Sequence, residues 1–521
     1  MITTHFGWNP RLPAVQQKPL QRCWWLGLWS LLCLLALAGW AAPATAADRL
    51  RIGIQLEPAS FDITSTSAAT ASEVTYANIF EGLTYLDGSG EVKPRLALDW
   101  SASKNGKVVD FNLRRNVTYH DGKAFNANTA VFSLQRLLKM SNTNAYLEWF
   151  DKIESVEALD DYRLRIRLRD PDALLTYALA MPGAVMVHPD TAQGNATMPV
   201  GTGPYRFSEW KRGKSIELLR NDRWWGTSKP AIPAAEFLFM STASETENML
   251  AEGRIDALSS VTRLTASFLA RTDYQMATRG VEGKLILAMN NARAPLNDIR
   301  VRRAISHAVD RARYTDIYGS SIKVLPVGSH FSPTHPAYVD LTGRYPYDPA
   351  QSKALLAQAQ VAAGTVLRLA APPTDYGRYG SLIVASQLEA IGFKVEIEVM
   401  DWPTWLDRVM KRKDYDITLI MHVEPMDIGI YARKDYYFNY DNRVFGKIWE
   451  KLRGSASQQE LNDWLRQAQK QLAEDAVNVF LVVRPERNFV RKGLLGMWTN
   501  CPIPTVALED LRWQAGAQPA Q

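Results

Sequence analysis

His422, Glu424 and Asp427 lie within one six-residue stretch, and their types suggest metal or charge chemistry. On a strand, residues two apart share a face, so His422 and Glu424 could both ligate a metal. The donor set is thin, with no HExxH helix and no paired histidine, and a hydrogen-bonded or exposed imidazole explains His422 as well. No metal site and no cofactor are therefore assigned. The adjacent pair His120-Asp121 would diverge on a strand and reads as the start of an Asp121-Gly122 turn. Gly213-Lys214-Ser215 is not a P-loop, because Ser208 stands where the earlier glycine is needed and a strand is indicated where a helix should follow. There is no Gly-x-Ser-x-Gly elbow and no Ser-x-x-Lys pair. Without a nucleophile–base pair the chain is read as a binding protein, not an enzyme.

These residues sit in a chain of 521 residues, 46% hydrophobic and 22% charged, which is globular composition long enough for two or three domains. Arg11, Lys18 and Arg22 precede an apolar run from Trp24 to Trp40 and the small-residue exit Ala44-Thr45-Ala46. That order is the pattern of a cleavable secretory leader over residues 1–46. Its removal takes Cys23 and Cys33, leaving Cys501 alone and no disulfide or redox pair. It also takes three basic residues and no acidic ones, so 57 basic against 54 acidic residues leave a net charge of +3. No polybasic tract argues for nucleic acid.

Periodicity places the elements. Leu50–Leu56, Val108–Leu113 and Tyr162–Leu168 alternate as strands, and Tyr76–Leu83 reads as a helix ending at Gly82. After the Gly122 turn, Asn126 or Asn128 starts a helix with Val131, Leu134 and Leu137 on its apolar face. Asp298 caps another, burying Val301, Ala304, Ile305 and Ala308, with Arg302 and Arg303 on a solvated face. Strands at Val366–Ala370, Val395–Val399, Ile417–Met421 and Val479–Val483 alternate with helices at Pro349–Ala359, Tyr379–Ile391, Pro403–Met410 and Leu461–Leu472. That alternation predicts a mostly parallel α/β lobe.

Four blocks carry a resemblance: Tyr76–Leu83 with its Glu-Gly-Leu end, His120-Asp-Gly running on to Ser133, Gly201-Thr-Gly-Pro-Tyr205 running on to Trp225, and Asn290–Arg311 with its Asp-x-Arg-Val-Arg core. In this order they resemble the bacterial extracellular solute-binding proteins of family 5. The resemblance implies an α/β, two-lobed periplasmic binding protein (class II, cluster C-like) with an additional inserted α+β domain. It divides the chain into leader 1–46, lobe I at 47–88, 200–285 and 485–521, the inserted domain at 89–199, and lobe II at 286–484.

The implied function is capture of a peptide or peptide-like solute in the periplasm by a monomer. The partners are then the permease and ATPase subunits of an inner-membrane ABC importer. A non-peptide solute (metal chelate, opine, haem or sugar) is the alternative, and a secreted hydrolase a more distant one. A bound peptide brings an ammonium and a carboxylate that must not be buried unpaired. By the resemblance Asp427, or else Glu424, should meet the ammonium. Arg378 should meet the carboxylate, and Trp402 should wall the cleft. Tyr376, Tyr431, Tyr436 and Tyr437 lie close in sequence to the charged candidates and could line the same space.

Overall fold

The structure, a computed structural model, describes residues 49–515 except for 66–68, 89, 140–146, 241, 260–267, 269, 280–282, 319–323, 424–425, 485 and 499–502. The leader, Glu424 and Cys501 therefore lie outside the described residues. Among the described residues no helix is long and apolar enough to cross a membrane.

Two mixed sheets organise the chain. The first has seven strands, in the order 274–279, 486–491, 257–258, 49–54, 234–239, 215–220 and 205–211. The strand Arg49–Ile54 is central and parallel to both its neighbours, while the outer pairings are antiparallel. The second has six strands, in the order 325–326, 478–483, 284–289, 417–422, 366–371 and 394–399. The expected mostly parallel lobe is thus a mixed one. Ile417–His422, Val366–Ala371 and Lys394–Val399 run parallel, but Lys284–Met289 enters antiparallel between Ile417–His422 and Asn478–Val483. Helix–strand alternation could not reveal that insertion, because Lys284–Met289 precedes the alternating stretch by many residues.

A separate four-stranded antiparallel sheet (97–102, 108–113, 163–168, 153–160) carries the helix Ala127–Lys139. That helix starts as expected. Asn126 Oδ1 accepts from Thr129 N–H at 3.1 Å while Thr129 Oγ1 accepts from Asn126 N–H at 3.2 Å, a reciprocal cap. Its buried face is Ala127, Ala130, Leu134 and Leu137, with Val131 only half-buried.

Two further expectations fail. Tyr76–Leu83 is not helical; the helix is Ala69–Thr75, and Ala77 stops it with φ of +62°. The Asn78 side chain instead bonds the Val506 carbonyl and the Leu508 amide, so tertiary contacts take this segment away from the helix its sequence favours. Arg302 is buried rather than solvated, with its guanidinium donating to the carbonyls of Leu296, Asp475 and Ala476. The Asp298 cap and the buried Val301, Ala304, Ile305 and Ala308 stand as expected.

Three of the four signature blocks meet at one place. Glu81 is buried and accepts from Arg95 at 2.7 Å, Thr202 at 2.7 Å and Trp225 at 2.9 Å. His120 Nε2 donates to the Gly203 carbonyl at 3.0 Å, and its Nδ1 accepts from Gly201 N–H at 3.3 Å. Both ring nitrogens therefore serve the fold, as a turn rather than a dyad requires. Gly201 matters for close approach: a Cβ there would stand 1.9 Å from the Ile79 carbonyl oxygen. Gly201→Ala should therefore lower stability by at least about 1–3 kcal/mol, read from urea unfolding; an unchanged midpoint would contradict this packing.

Candidate functional site

The carboxyl ends of the three parallel strands, at Ala371, Val399 and His422, lie at one end of the six-stranded sheet. Ligands in open α/β sheets bind at such ends. All the described candidates are found there, yet only Asp427, His422, Tyr431 and Tyr437 are brought together.

Those four belong to a buried charged cluster. Asp427 Oδ1 accepts from Lys284 Nζ at 2.9 Å and from His330 Nε2 at 2.8 Å, and its Oδ2 accepts from His422 Nδ1 at 3.0 Å. With Nδ1 so engaged, His422 Nε2 accepts the Tyr437 hydroxyl at 2.9 Å. Tyr431 lies beside them, edge-on to His330 and stacked on Phe438, its hydroxyl accepting from Asn478 at 3.2 Å. Sheet pairing fixes the cluster, because Lys284 is the register partner of His422.

Burial works to raise the Asp427 carboxyl, but the charge of Lys284 and the bonds from both histidines hold it well below the usual carboxylate range. Burial, assisted by Lys284, pushes the His330 ring down to about 4, so it is neutral at pH 7. Its folded value lies below the unfolded value of 6.5, so this contribution is complete above pH 6.5 and is lost as pH falls towards 4. One proton is worth about 1.4 kcal/mol per pH unit. Between pH 7 and pH 5 the wild type should lose about 2 kcal/mol more than His330→Gln in urea unfolding; parallel losses would contradict a neutral buried ring.

Asp427 also lines a cavity of about 220 Å³. One wall is Trp149, Asp151 and Leu174, from the segment beside the four-stranded sheet; the other includes Met426, Ile430, Trp449 and Arg453. Arg453 joins the walls. Its Nε donates to Asp172 Oδ1 at 3.0 Å, its Nη2 reaches Asp172 Oδ2 and, at 3.3 Å, Asp151, and its carbonyl accepts from Ala173 N–H at 2.8 Å. A larger open trough of about 440 Å³ lies along Phe132, Arg136 and Lys139 on the helix of the small sheet. Its Arg136 is already engaged by Asp62 at 2.8 Å, and it stands apart from the strand ends.

The other candidates lie outside this cluster and do not line the cavity. Arg378 is exposed in the first turn of the helix Asp375–Glu389, which begins four residues earlier than expected. Trp402 is 41% exposed and stacks at 5.1 Å on the buried Trp405. Tyr376 and Tyr436 are half-buried. Among the described residues no group of three side chains is suited to hold a metal.

The sequence profile of the bacterial extracellular solute-binding proteins, family 5, matches residues 91–430. The chain belongs to this family. Di/tripeptide-binding protein 2 of Pseudomonas aeruginosa (strain UCBPP-PA14) is 28% identical over 424 residues, covering 74% of this chain and 78% of that one. Among solved structures, the periplasmic binding protein DppA of Helicobacter pylori in complex with the peptide STSA aligns with a TM-score of 0.72 at 23% identity. That alignment covers 89% of this chain and 98% of that one. The binding protein AgaA of A. tumefaciens R10, in complex with agropinic acid, aligns with a TM-score of 0.71 at 22% identity, covering 90% and 99%. This family 5 chain therefore has the two-lobed α/β fold of those proteins. Three of its four signature blocks, gathered around Glu81 and His120, are features of the fold and lie apart from the cavity residues.

Proposed function

We propose that this chain is the solute receptor of an ABC importer, holding a peptide or peptide-like solute in the cavity between segments 147–174 and 426–453. The observation that carries this reading is the cavity itself. It combines aromatic and charged walls, sits by the carboxyl ends of parallel strands, and draws its two walls from segments far apart in sequence. A solute enters while the walls are apart and is enclosed when they meet, which is the hinge motion two-lobed receptors use. The di/tripeptide-binding relative and the peptide complex of the aligned structure support a short peptide-like solute.

In the same reading residues 1–46 direct export, the mature protein works in the periplasm as a monomer, and residues 89–199 form the domain inserted into the first lobe. The solute passes to a membrane permease driven by separate ATPase subunits, and the receptor itself performs no chemistry.

The test is native mass spectrometry of protein purified from its periplasm, followed by unfolding and extraction of the solute. Copurifying short peptides are expected. A solute of another class would keep the receptor role and replace the peptide, whereas release of cleaved products from added peptides would overturn it.

A further inference from the structure

A free peptide needs an acid for its ammonium group, and Asp427 is the buried acid on the cavity wall. The structure gives that acid a cation of the protein's own. Lys284 opens the strand Lys284–Met289, its side chain is 1% exposed, and its Nζ lies 2.9 Å from Asp427 Oδ1. With His330 and His422 added, three of the roughly four lone-pair positions of the carboxylate are filled. The other acid lining the cavity, Asp151, accepts from Arg453. Among the described residues, then, Asp427 is the cavity carboxylate with a buried cation of its own, whereas Asp151 shares Arg453 with Asp172, and Arg433 of the lining is paired with Asp435.

We infer that Lys284 is the built-in counter-cation of Asp427 and a specificity determinant, favouring solutes that bring no ammonium group to this wall. An incoming ammonium meets a carboxylate whose charge is already balanced. It also meets the like charge of Lys284 in a site from which water is excluded, where repulsion is little screened. A neutral or anionic end, such as an acylated amine or a carboxylate, carries no such penalty. The inference rests on the cavity being the solute site, and it narrows the peptide-like class to solutes blocked or uncharged at that end.

Ligand-stripped wild type and Lys284→Gln are titrated calorimetrically with Ala-Ala-Ala and with N-acetyl-Ala-Ala-Ala. The wild type should bind the acetylated tripeptide at least as tightly as the free one. Lys284→Gln should shift the ratio at least about tenfold towards the free amine, as expected for one unmatched carboxylate gained. A tenfold wild-type preference for the free amine would overturn the inference even if the variant failed to fold, and so would a ratio unmoved by the substitution. If the wild type binds neither tripeptide, the peptide reading fails. The inference is then decided by the variant: Ala-Ala-Ala binding gained in Lys284→Gln supports it, and no gain overturns it.

Discussion

Asp427→Ala should cost about 3–5 kcal/mol of folding stability, because it leaves the Lys284 ammonium buried without its partner. Coulomb attraction within the pair is offset by the desolvation of two ions, so the intact pair itself adds little net stability. Removing one member is different, since the desolvation cost of the other remains. His330 and His422 also lose their acceptor, leaving two further buried polar atoms unmatched. Urea unfolding measures the loss. The double variant Asp427→Ala/Lys284→Met should recover most of it, since replacing both charges by apolar groups is often neutral. If Asp427→Ala unfolds at the wild-type midpoint, the pair is not buried as described. A double variant no better than the single one would place the cost elsewhere than in Lys284. The sequence alone suggested a solute ammonium as the partner of Asp427. In the structure Asp427 already pairs with Lys284, so the substitution acts on folding as well.

Arg453→Ala should have an effect of similar size with a functional consequence as well. The Asp172 side chain is 2% exposed and would lose both guanidinium bonds, again at about 3–5 kcal/mol. Because Arg453 joins the two cavity walls, part of that loss falls on the enclosed arrangement alone. Solute should then leave at least about tenfold faster from Arg453→Ala, corresponding to about 1.4 kcal/mol of lost enclosure. Stopped-flow displacement of the extracted solute gives the rate, and urea unfolding gives the stability. Loss of stability without a change in dissociation rate would show that the contact holds the fold but does not close the cavity.

What the sequence revealed and what it hid follow from the range of each interaction. Caps and periodic faces are local, so Asn126, Asp298 and the strands from Val366 onward were legible to within a few residues. The segment Tyr76–Leu83 was misread because its backbone is held by Gly203 and Tyr205 and its Asn78 side chain by Val506, all distant in sequence. Asp427, His422 and Tyr431 were singled out by type and proximity, and they do come together.

Lys284 and His330 were not singled out. Lys284 reads as a polar flank on an apolar strand, and His330 lies in a stretch rich in Ser, Pro and His without periodicity. Only the pairing of strands far apart in sequence brings them to Asp427. Arg453 reads as a cation at a helix C-terminus, where it would favour the dipole from the surface. Its bond to Asp172 spans 281 residues and has no local trace.

The central claim is that solute occupies the cavity between segments 147–174 and 426–453. Filling that space tests it most directly. Ala432 lines the cavity and is only half-buried, so Ala432→Trp should reduce the free volume while leaving most of the core in place. The affinity of the extracted solute, measured by calorimetry on wild type and Ala432→Trp of equal thermal stability, should fall at least about tenfold. An unchanged affinity in the folded variant would place the solute elsewhere and contradict the account.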